Sequence, residues 1–413
     1  MAKESLIELR RELNFRKFQL NAIYEFSAAI YKSLDADYIL RIFFLTLMGP
    51  IGISRAFFFG GSGRLFRKRG FKFSDSEFLL FRRLIRTLPN HWRILRLDDL
   101  TPELRQLLGS KNIHYLVNVS GTKRKSLILG LGYKLNSREL SDEDLEFTQF
   151  LSRLVLVALD NVRSVEQIVE KKRMEYELTV ARDIQLSLLP QSLPALKRFD
   201  ISVIYHPIEK VGGDYYDLLR QRKNLQPLVV ADVEGKGLSA AILASFSLAI
   251  FHALNELYLF QPAKFMTKAN SLITEYTQGK KFITLFWLLL DDEKPALTYV
   301  NAGHVYPLLV SEGNVRELSK GGLLLGFTDA QAYEEETIPL KIGDLLVIVT
   351  DGVLDAHNPQ GEEFGSQPIV NFLAGHSSLP AAEIADRLYK KIKSFIGTGR
   401  FNDDFTLMII KVK

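Results

Sequence analysis

Four short acidic motifs stand at the ends of predicted strands in the C-terminal part of the sequence. Asp232 and Asp351 each follow an apolar run, whereas Asp214 and Asp403 each come just before a predicted strand. In an antiparallel sheet the end of one strand lies beside the start of its neighbour. We therefore expect these four carboxylates to gather on a single edge of a sheet.

A cluster of this kind has a definite chemistry. Carboxylates packed together without a cation repel one another and take up protons. Hard oxygen ligands with no His or Cys beside them are the ligand set of Mg²⁺ or Mn²⁺. Two such ions, about 3.5–4 Å apart, would lower the pKa of a bridging water and clamp the oxygens of a phosphoryl group. The pattern predicts hydrolysis of a phosphate ester without a covalent enzyme intermediate.

Glycines beside the aspartates favour the same interpretation. Gly212 and Gly213 let the backbone approach a site closely, and Gly235 and Gly237 allow a sharp turn into the next helix. Taken singly, an Asp-Gly or Gly-Gly-Asp motif is more typical of an ordinary turn, so the prediction depends on the four motifs together. His304 is either a packed turn residue or a neighbour of the site.

Other catalytic classes lack their motifs in this sequence. The Gly-Lys-Gly at 235–237 is not a phosphate loop, because Leu238 stands where Ser or Thr is required. The sequence has no Gly-x-Ser-x-Gly motif, which disfavours a serine hydrolase. It also has no cysteine, which excludes disulfides, thiolate metal sites and cysteine nucleophiles.

The elements that must position the aspartates are short β-branched strands with helices between them. Strands are predicted over Ile201–Tyr205, Leu228–Ala231, Ile283–Leu290, Leu297–Val300, Leu345–Val349 and Thr406–Val412. Helices are predicted over about 238–257, 262–277 and 380–396. Because several strands follow one another through short turns, we expect antiparallel sheets with helices packed outside them, in an α+β fold.

The N-terminal part is predicted to mix helices with a sheet. The pattern predicts helices over residues 1–34 and Tyr38–Met48, and strands over Arg55–Gly60 and Ser126–Gly132. A further helix begins at Ser141, where Asp144 completes a capping box, and extends to about Val169. A charged connector helix then leads to Pro190, which ends it.

The order of motifs in residues 178–413 closely resembles the SpoIIE/RsbU-like branch of the metal-dependent PPM protein phosphatases. The matching segments are ARDIQLSLLP at 181–190, VGGDYYD at 211–217, DVEGKG at 232–237, NAGH at 301–304, TDG at 350–352 and NDDFT at 402–406. The resemblance implies a PPM-type αββα sandwich and a serine/threonine phosphatase with two Mn²⁺ or Mg²⁺ ions. In this family the substrate is typically a phosphorylated STAS-type anti-anti-sigma protein.

The same resemblance implies a role for each acidic residue. Asp214 and Asp232, with the carbonyl of Val233, would hold the first metal ion. Asp232, Asp351 and Asp403 would hold the second, so that Asp232 bridges the two. No other cofactor-binding residue is implied.

Two further acidic residues lie beside this set. Asp404 would orient its loop rather than bind metal. Glu234 departs from the family pattern, because a small residue such as Ser is expected at its position. It leaves the metal ligands intact but adds a carboxylate near the mouth of the site.

The N-terminal part resembles a GAF domain, with a PAS domain as the alternative. The resemblance is carried by the long first helix, Ser33–Asp37 before the second helix, the strand near Ala56–Gly60 and the closing helix Asp142–Val169. It implies an antiparallel sheet with helices that binds an unknown small ligand, or none, and that forms a homodimer.

Charge is distributed unequally along the chain. Residues 1–190 carry 31 Lys and Arg against 22 Asp and Glu, so the remaining residues carry 53 − 31 = 22 against 48 − 22 = 26. The basic excess concentrates between Arg55 and Arg96, where no nucleic-acid motif accompanies it. We expect a solvated face or a contact for an acidic partner or membrane, and no nucleic acid. Residues 191–413 have an acidic balance and would repel a polyanion, which disfavours a two-metal nuclease.

The sequence is predicted to be soluble and cytoplasmic. Its start is charged and helical, without the layout of a signal peptide. The uncharged run Leu238–Asn255 is borderline in length for a membrane span, but its Ser, His and Asn residues suit a buried helix better.

Together these features predict three parts: a GAF-like sensor and dimerisation domain over 1–165, a helical linker over 166–190 and a phosphatase domain over 191–413. We expect a sensor-regulated phosphatase that acts on a STAS-type anti-anti-sigma protein in partner-switching signalling. A signal at the first domain would change the dimer packing of the linker and organise the metal site. The alternative is a catalytically weak regulatory protein that binds a STAS or anti-sigma partner.

Overall fold

The structure, a computed structural model, describes residues 2–32, 35–49, 51–60, 66–88, 92–120 and 126–413. The segment Ser33–Asp37 and the basic stretch Arg55–Arg96 therefore lie only partly within the described residues. The chain divides into two compact units, Met1–Lys172 and Arg173–Lys413. The division into sensor, linker and phosphatase parts stays a prediction.

The N-terminal unit combines helices with an antiparallel sheet, as the sequence predicted. Its helices are α1 (Ala2–Lys32), α2 (Ala36–Met48), α3 (Asp75–Leu84) and α4 (Pro102–Gly109), followed by α5 (Asp142–Leu188). Its described strands are β1 (Ala56–Gly60), β2 (Phe66–Arg69), β3 (Ile94–Arg96), β4 (Tyr115–Ser120) and β5 (Ser126–Leu131), in the order β2-β1-β5-β4-β3. The GAF assignment stays a prediction.

Alternation along β1 sends neighbouring side chains into two separate cores. Phe58 packs against Phe43 of α2, with 5.6 Å between the ring centroids. Phe57 and Phe59 instead contact Phe81 of α3, at centroid distances of 5.1 and 5.3 Å. Because helices cover both faces of the sheet, β1 is apolar along its whole length rather than at alternate positions.

Helix α5 begins with the predicted capping box. The backbone N–H of Ser141 donates to Asp144 Oδ2 at 2.9 Å, and the N–H of Asp144 donates to Ser141 Oγ at 3.2 Å. The sequence predicted a helix followed by a connector helix, whereas the structure has one continuous helix of 47 residues. No Gly or Pro interrupts α5 before Pro190. The predicted helix and the predicted connector helix therefore have no helix breaker between them.

The second unit contains many short strands and five helices, and all of its residues are described. Its strands are β6 (Phe199–His206), β7 (Tyr215–Leu218), β8 (Leu225–Val233), β9 (Ile283–Asp291), β10 (Ala296–Ala302), β11 (Leu308–Ser311), β12 (Asn314–Glu317), β13 (Gly321–Gly322), β14 (Glu336–Pro339), β15 (Leu345–Val349) and β16 (Phe405–Val412). Its helices are α6 (Leu238–Tyr258), α7 (Pro262–Thr277), α8 (Asp351–Leu354), α9 (Gln367–His376) and α10 (Ala381–Ile396). Residues 173–188 of α5 also belong to it.

These strands form two sheets that pack face to face. The first sheet has the order β13-β10-β9-β8-β7, with β14 beside β10, and the second has the order β12-β11-β15-β16-β6. Neighbouring strands are antiparallel, except that β13 runs parallel to β10. Side chains such as Phe286 and Met408 fill the space between the sheets. The unit is the predicted αββα sandwich.

Helices cover the outer face of each sheet. Phe251 of α6 and Phe265 of α7 pack on the first sheet, and Leu388 of α10 packs on the second. Among the described residues, α6 is the one helix long and apolar enough to cross a membrane by length and composition. Its inner side chains lie in the core of this unit, which is the packing of a buried helix in a folded domain.

Candidate active site

Two of the predicted ligands meet at one end of the first sheet. In the pairing of β7 with β8, Tyr215 faces Ala231. Asp214 precedes Tyr215 and Asp232 follows Ala231, so the same register places the two aspartates opposite each other. Burial, and then the charge of Asp232, raise the pKa of Asp214 well above its ordinary value.

Two hydroxyl groups hold the carboxylate of Asp214. Thr350 Oγ1 donates to Asp214 Oδ2 at 2.6 Å, and Thr406 Oγ1 donates to the same oxygen at 2.7 Å. These hydrogen bonds oppose the rise in the pKa of Asp214, because they favour its charged form. Thr350 follows β15 and Thr406 lies in β16, so the carboxylate joins the first sheet to the second.

The other two predicted ligands belong to the second sheet. Val349 pairs with Leu407, which brings Asp351, the first residue of α8, to the same sheet end as Asp403. Burial raises the pKa of Asp232 to about 7, and the nearby charges of Asp351 and Asp403 contribute to this shift. The four aspartates are therefore close enough for their charges to interact electrostatically.

The expectation of a single sheet edge is wrong in one respect. Asp214 and Asp232 lie at the end of the first sheet, whereas Asp351 and Asp403 lie at the end of the second. The four meet because the two sheets pack face to face with these ends together. Strand adjacency within one sheet explains each pair but not the meeting of the pairs.

Asp404 holds the loop that carries Asp214. Its Oδ2 accepts from the backbone N–H groups of Gly213 at 2.6 Å and Asp214 at 3.3 Å, and its Oδ1 accepts from that of Ile208 at 2.8 Å. This is the orienting arrangement expected for Asp404. A Cβ at Gly212 would lie 2.5 Å from Asp404 Oδ2, so a side chain at that position would displace the carboxylate.

The carbonyl of Val233 faces the same loop. A Cβ added at Gly213 would stand 2.8 Å from the Val233 oxygen, closer than real Cβ contacts come. The bare backbone of Gly213 thus lets the Asp214 loop lie against the end of β8 and leaves room in front of this carbonyl. The glycines predicted to permit a close approach do so here.

One charged group at the site was missed by sequence reasoning. The Nζ of Lys236 lies 2.7 Å from Asp403 Oδ2 and donates to the carbonyl of Asn402 at 2.8 Å. The signal available in the sequence was a single Lys between two glycines, next to several acidic residues. Its partner could not be read from spacing, because Asp403 is distant along the chain.

The chemistry of the donor set fits hard divalent cations. As the side chains stand, no three His, Asp or Glu residues in the described part of the chain form a group that could hold a metal ion. Lys236 Nζ contacts Asp403 Oδ2, and the two threonine hydroxyls donate to Asp214 Oδ2. Carboxylates and a carbonyl are nonetheless the oxygen donors that Mn²⁺ and Mg²⁺ take.

Helix α5 also contacts the site loop through one buried side chain. Gln185 Nε2 donates to the carbonyl of Gly212 at 2.7 Å, and Gln185 Oε1 accepts from the Gly212 N–H at 3.1 Å. Both amide functions are thereby satisfied by a single backbone residue. Gln185 lies in the motif at 181–190, but its role could not be read from the sequence.

Glu234 and His304 lie beside the site rather than in it. Glu234 Oε2 is 3.8 Å from Lys281 Nζ. His304 is buried, its Nδ1 is 3.0 Å from Thr284 Oγ1, and Thr284 pairs in register with Asp232. Burial lowers the pKa of His304 to about 4. His304 is thus a packed residue that is also a neighbour of the site through Thr284.

A four-layer αββα sandwich with carboxylates at the shared end of both sheets defines the PPM class of protein phosphatases. The family described as Stage II sporulation protein E (SpoIIE) matches residues 226–413. This part of the chain is a SpoIIE-type protein phosphatase domain. The matched range contains Asp232, Asp351 and Asp403, whereas Asp214 precedes it.

Similar proteins agree with this assignment. Phosphoserine phosphatase RsbU of Bacillus subtilis is 26% identical over 249 residues, which are 59% of this chain and 72% of RsbU. Protein IcfG of Synechocystis is 27% identical over 57% of this chain but only 41% of IcfG. The SiaA-PP2C domain of Pseudomonas aeruginosa, 23% identical, aligns with a TM-score of 0.54 over 59% of this chain and 99% of that domain, which shows the fold.

Proposed function

We propose that this chain is a metal-dependent serine/threonine phosphatase that holds two Mn²⁺ or Mg²⁺ ions. The ligands would be Asp214, Asp232, Asp351 and Asp403, together with the carbonyl of Val233. The observation that carries the proposal is the meeting of these four carboxylates across two sheets, in a domain of the SpoIIE type. Burying like charges together is unfavourable without a cation, so a divalent ion is their natural partner.

The side chains around the ligands have separable tasks. When bound, the two ions would lower the pKa of a water molecule and neutralise phosphoryl oxygens. Thr350 and Thr406 fix the orientation of the Asp214 carboxylate, and Asp404 fixes the backbone beside it. Asp232 interacts electrostatically with Asp351 and Asp403 and by a hydrogen bond with Asp214, which supports the proposal that it would serve both ions.

We infer that the substrate is a phosphorylated STAS-type anti-anti-sigma protein, in partner-switching signalling. The inference is supported by the similarity to RsbU, which is a phosphoserine phosphatase, and by the family that the motifs resemble. A direct test is to mix the Mn²⁺-loaded full chain with a phosphoserine-bearing STAS protein and follow phosphate release. Binding of that protein without turnover would instead favour a catalytically weak regulatory protein.

Regulation would reach the site through α5. This helix has no Gly or Pro between Asp142 and Leu188, and its last turns contact the Asp214 loop through Gln185. We propose that a GAF-like N-terminal unit, in a cytoplasmic homodimer, alters this helix in response to a signal. Shortening the helix by one to four residues within 166–180 should change basal or regulated activity. Unchanged activity in every such variant would contradict the proposal.

A further inference from the structure

The ammonium group of Lys236 occupies one side of a proposed metal ligand. Its Nζ lies 2.7 Å from Asp403 Oδ2, and it also donates to the carbonyl of Asn402 at 2.8 Å. Two cations on the same carboxylate oxygen repel each other strongly at such short range. Asp403 can therefore serve a divalent ion fully only if the ammonium moves away.

The loop that carries Lys236 allows this movement. Gly235 and Gly237 flank the lysine with φ angles of +102° and +71°, a left-handed region that glycine adopts at little cost. Helix α6 starts at Leu238 without a side-chain cap that would tie the loop down. The side chain of Lys236 is half exposed, so it can swing into solvent while β8 and α6 stay in place.

We propose that Lys236 is a tethered counter-cation that competes with the divalent metal for Asp403. The inference rests on the proposed function, because it takes Asp403 as a ligand of the second ion. Before a divalent ion binds, the ammonium compensates the negative charge on Asp403 Oδ2. Loading of the second ion and release of Lys236 from Asp403 are then a single exchange of one cation for another.

Metal binding to the full chain tests the exchange without any measurement of activity. The electron paramagnetic resonance signal of free Mn²⁺ reports how much of the ion is bound. It is measured for the unmodified chain and for the variants Lys236→Met, Lys236→Arg and Lys280→Met. Lys236→Met should bind the more weakly held ion about two- to fivefold more tightly, the range expected for loss of a partly exposed ion pair. Lys236→Arg keeps a competing cation and should stay near the unmodified chain.

Lys280→Met is the matched control for net charge. Lys280 lies on a nearby exposed segment, and its Nζ contacts Gln278 rather than an aspartate of the site. The Lys280→Met variant removes the same charge as Lys236→Met but frees no aspartate of the site. Its Mn²⁺ binding curve should therefore stay almost unchanged. An equal tightening by Lys280→Met would show a general field effect and overturn the role of Lys236.

A second readout uses the unmodified chain, so it does not depend on how a variant folds. Brief acetic anhydride labelling, read by mass spectrometry, should modify Lys236 slowly without metal and several-fold faster with Mn²⁺, while Lys280 stays constant. If two ions bind but Lys236→Met leaves the Mn²⁺ affinity unchanged and Mn²⁺ leaves the labelling rate of Lys236 unchanged, the role of Lys236 is wrong. The proposed metal site would still stand. If neither the unmodified chain nor any variant binds Mn²⁺, the proposed metal site fails and the inference fails with it.

Discussion

At the scale of single residues, replacing Gly213 by alanine is a small chemical change that should disturb the site. Its missing side chain lets the Asp214 loop lie against the Val233 carbonyl, which would be 2.8 Å from an added Cβ. We expect Gly213→Ala to lower the free energy of unfolding by about 1–3 kcal/mol, as overpacking does, and to weaken Mn²⁺ binding. Urea titration and isothermal calorimetry measure the two effects.

A glycine elsewhere in the same unit provides the control. Gly375 lies in α9 with nothing within 4 Å of an added Cβ. Gly375→Ala should therefore be neutral, or stabilising by about 0.5–1 kcal/mol because alanine is the better helix former. A Gly213→Ala protein as stable and as tightly metal-binding as Gly375→Ala would show that the close approach does not matter.

The buried imidazole of His304 should make the free energy of unfolding depend on pH. Burial holds its pKa at about 4, against 6.5 in the unfolded chain. Between these values the unfolded chain takes up a proton that the folded chain refuses, so this contribution to stability is lost as pH falls from about 6.5 to 4. At pH 5 the loss relative to pH 7 is about 2 kcal/mol.

The His304→Gln variant isolates this term. Other titrating groups are common to both proteins, so only the difference between their unfolding free energies is compared across pH. That difference should shift by about 2 kcal/mol in favour of the variant between pH 7 and pH 5. A difference that stays constant over this range would mean that His304 is accessible to protons in the folded state.

At the scale of elements, the end of α5 should matter through a single side chain. Gln185 satisfies both the N–H and the carbonyl of Gly212. Gln185→Leu leaves two buried backbone groups without these partners, at about 1–3 kcal/mol for each unsatisfied group. We expect a lower unfolding midpoint and lower phosphatase activity. Gln167→Leu, at an exposed position of the same helix, should change neither.

The elements that the sequence predicted are those with strong patterns. All six predicted strands of the second unit are present, because runs such as Leu345–Val349 are buried along their whole length. The strands that were missed are short or lie near sheet edges, such as β12, whose side chains are all exposed. An exposed edge strand has no alternating burial to leave a periodic trace in the sequence.

The site was predictable in its residues but not in all of its geometry. Asp214, Asp232, Asp351 and Asp403 could be chosen from their positions at strand ends, and their assignment as ligands stays a prediction. That the two pairs come from different sheets depends on face-to-face packing, which leaves no local signature. The contact between Lys236 and Asp403 likewise joins residues that no spacing rule connects.

At the scale of the whole molecule, metal binding should stabilise the second unit. An ion that binds only the folded state adds about 2.7 kcal/mol when its free concentration is a hundred times its dissociation constant. Differential scanning calorimetry of the full chain should therefore show one transition that rises with Mn²⁺ and another that does not. Two transitions that respond equally, or neither responding, would contradict a metal site confined to this unit.

The central claim is that these aspartates form the metal site of a phosphatase. The most direct measurement is Mn²⁺-dependent hydrolysis of an aryl phosphate by the full chain, by Asp351→Asn and by Asp386→Asn, an exposed carboxylate of α10 as control. We predict activity that requires Mn²⁺, falls about 100-fold or more in Asp351→Asn and persists in Asp386→Asn. Metal-dependent activity that survives Asp351→Asn would contradict the account.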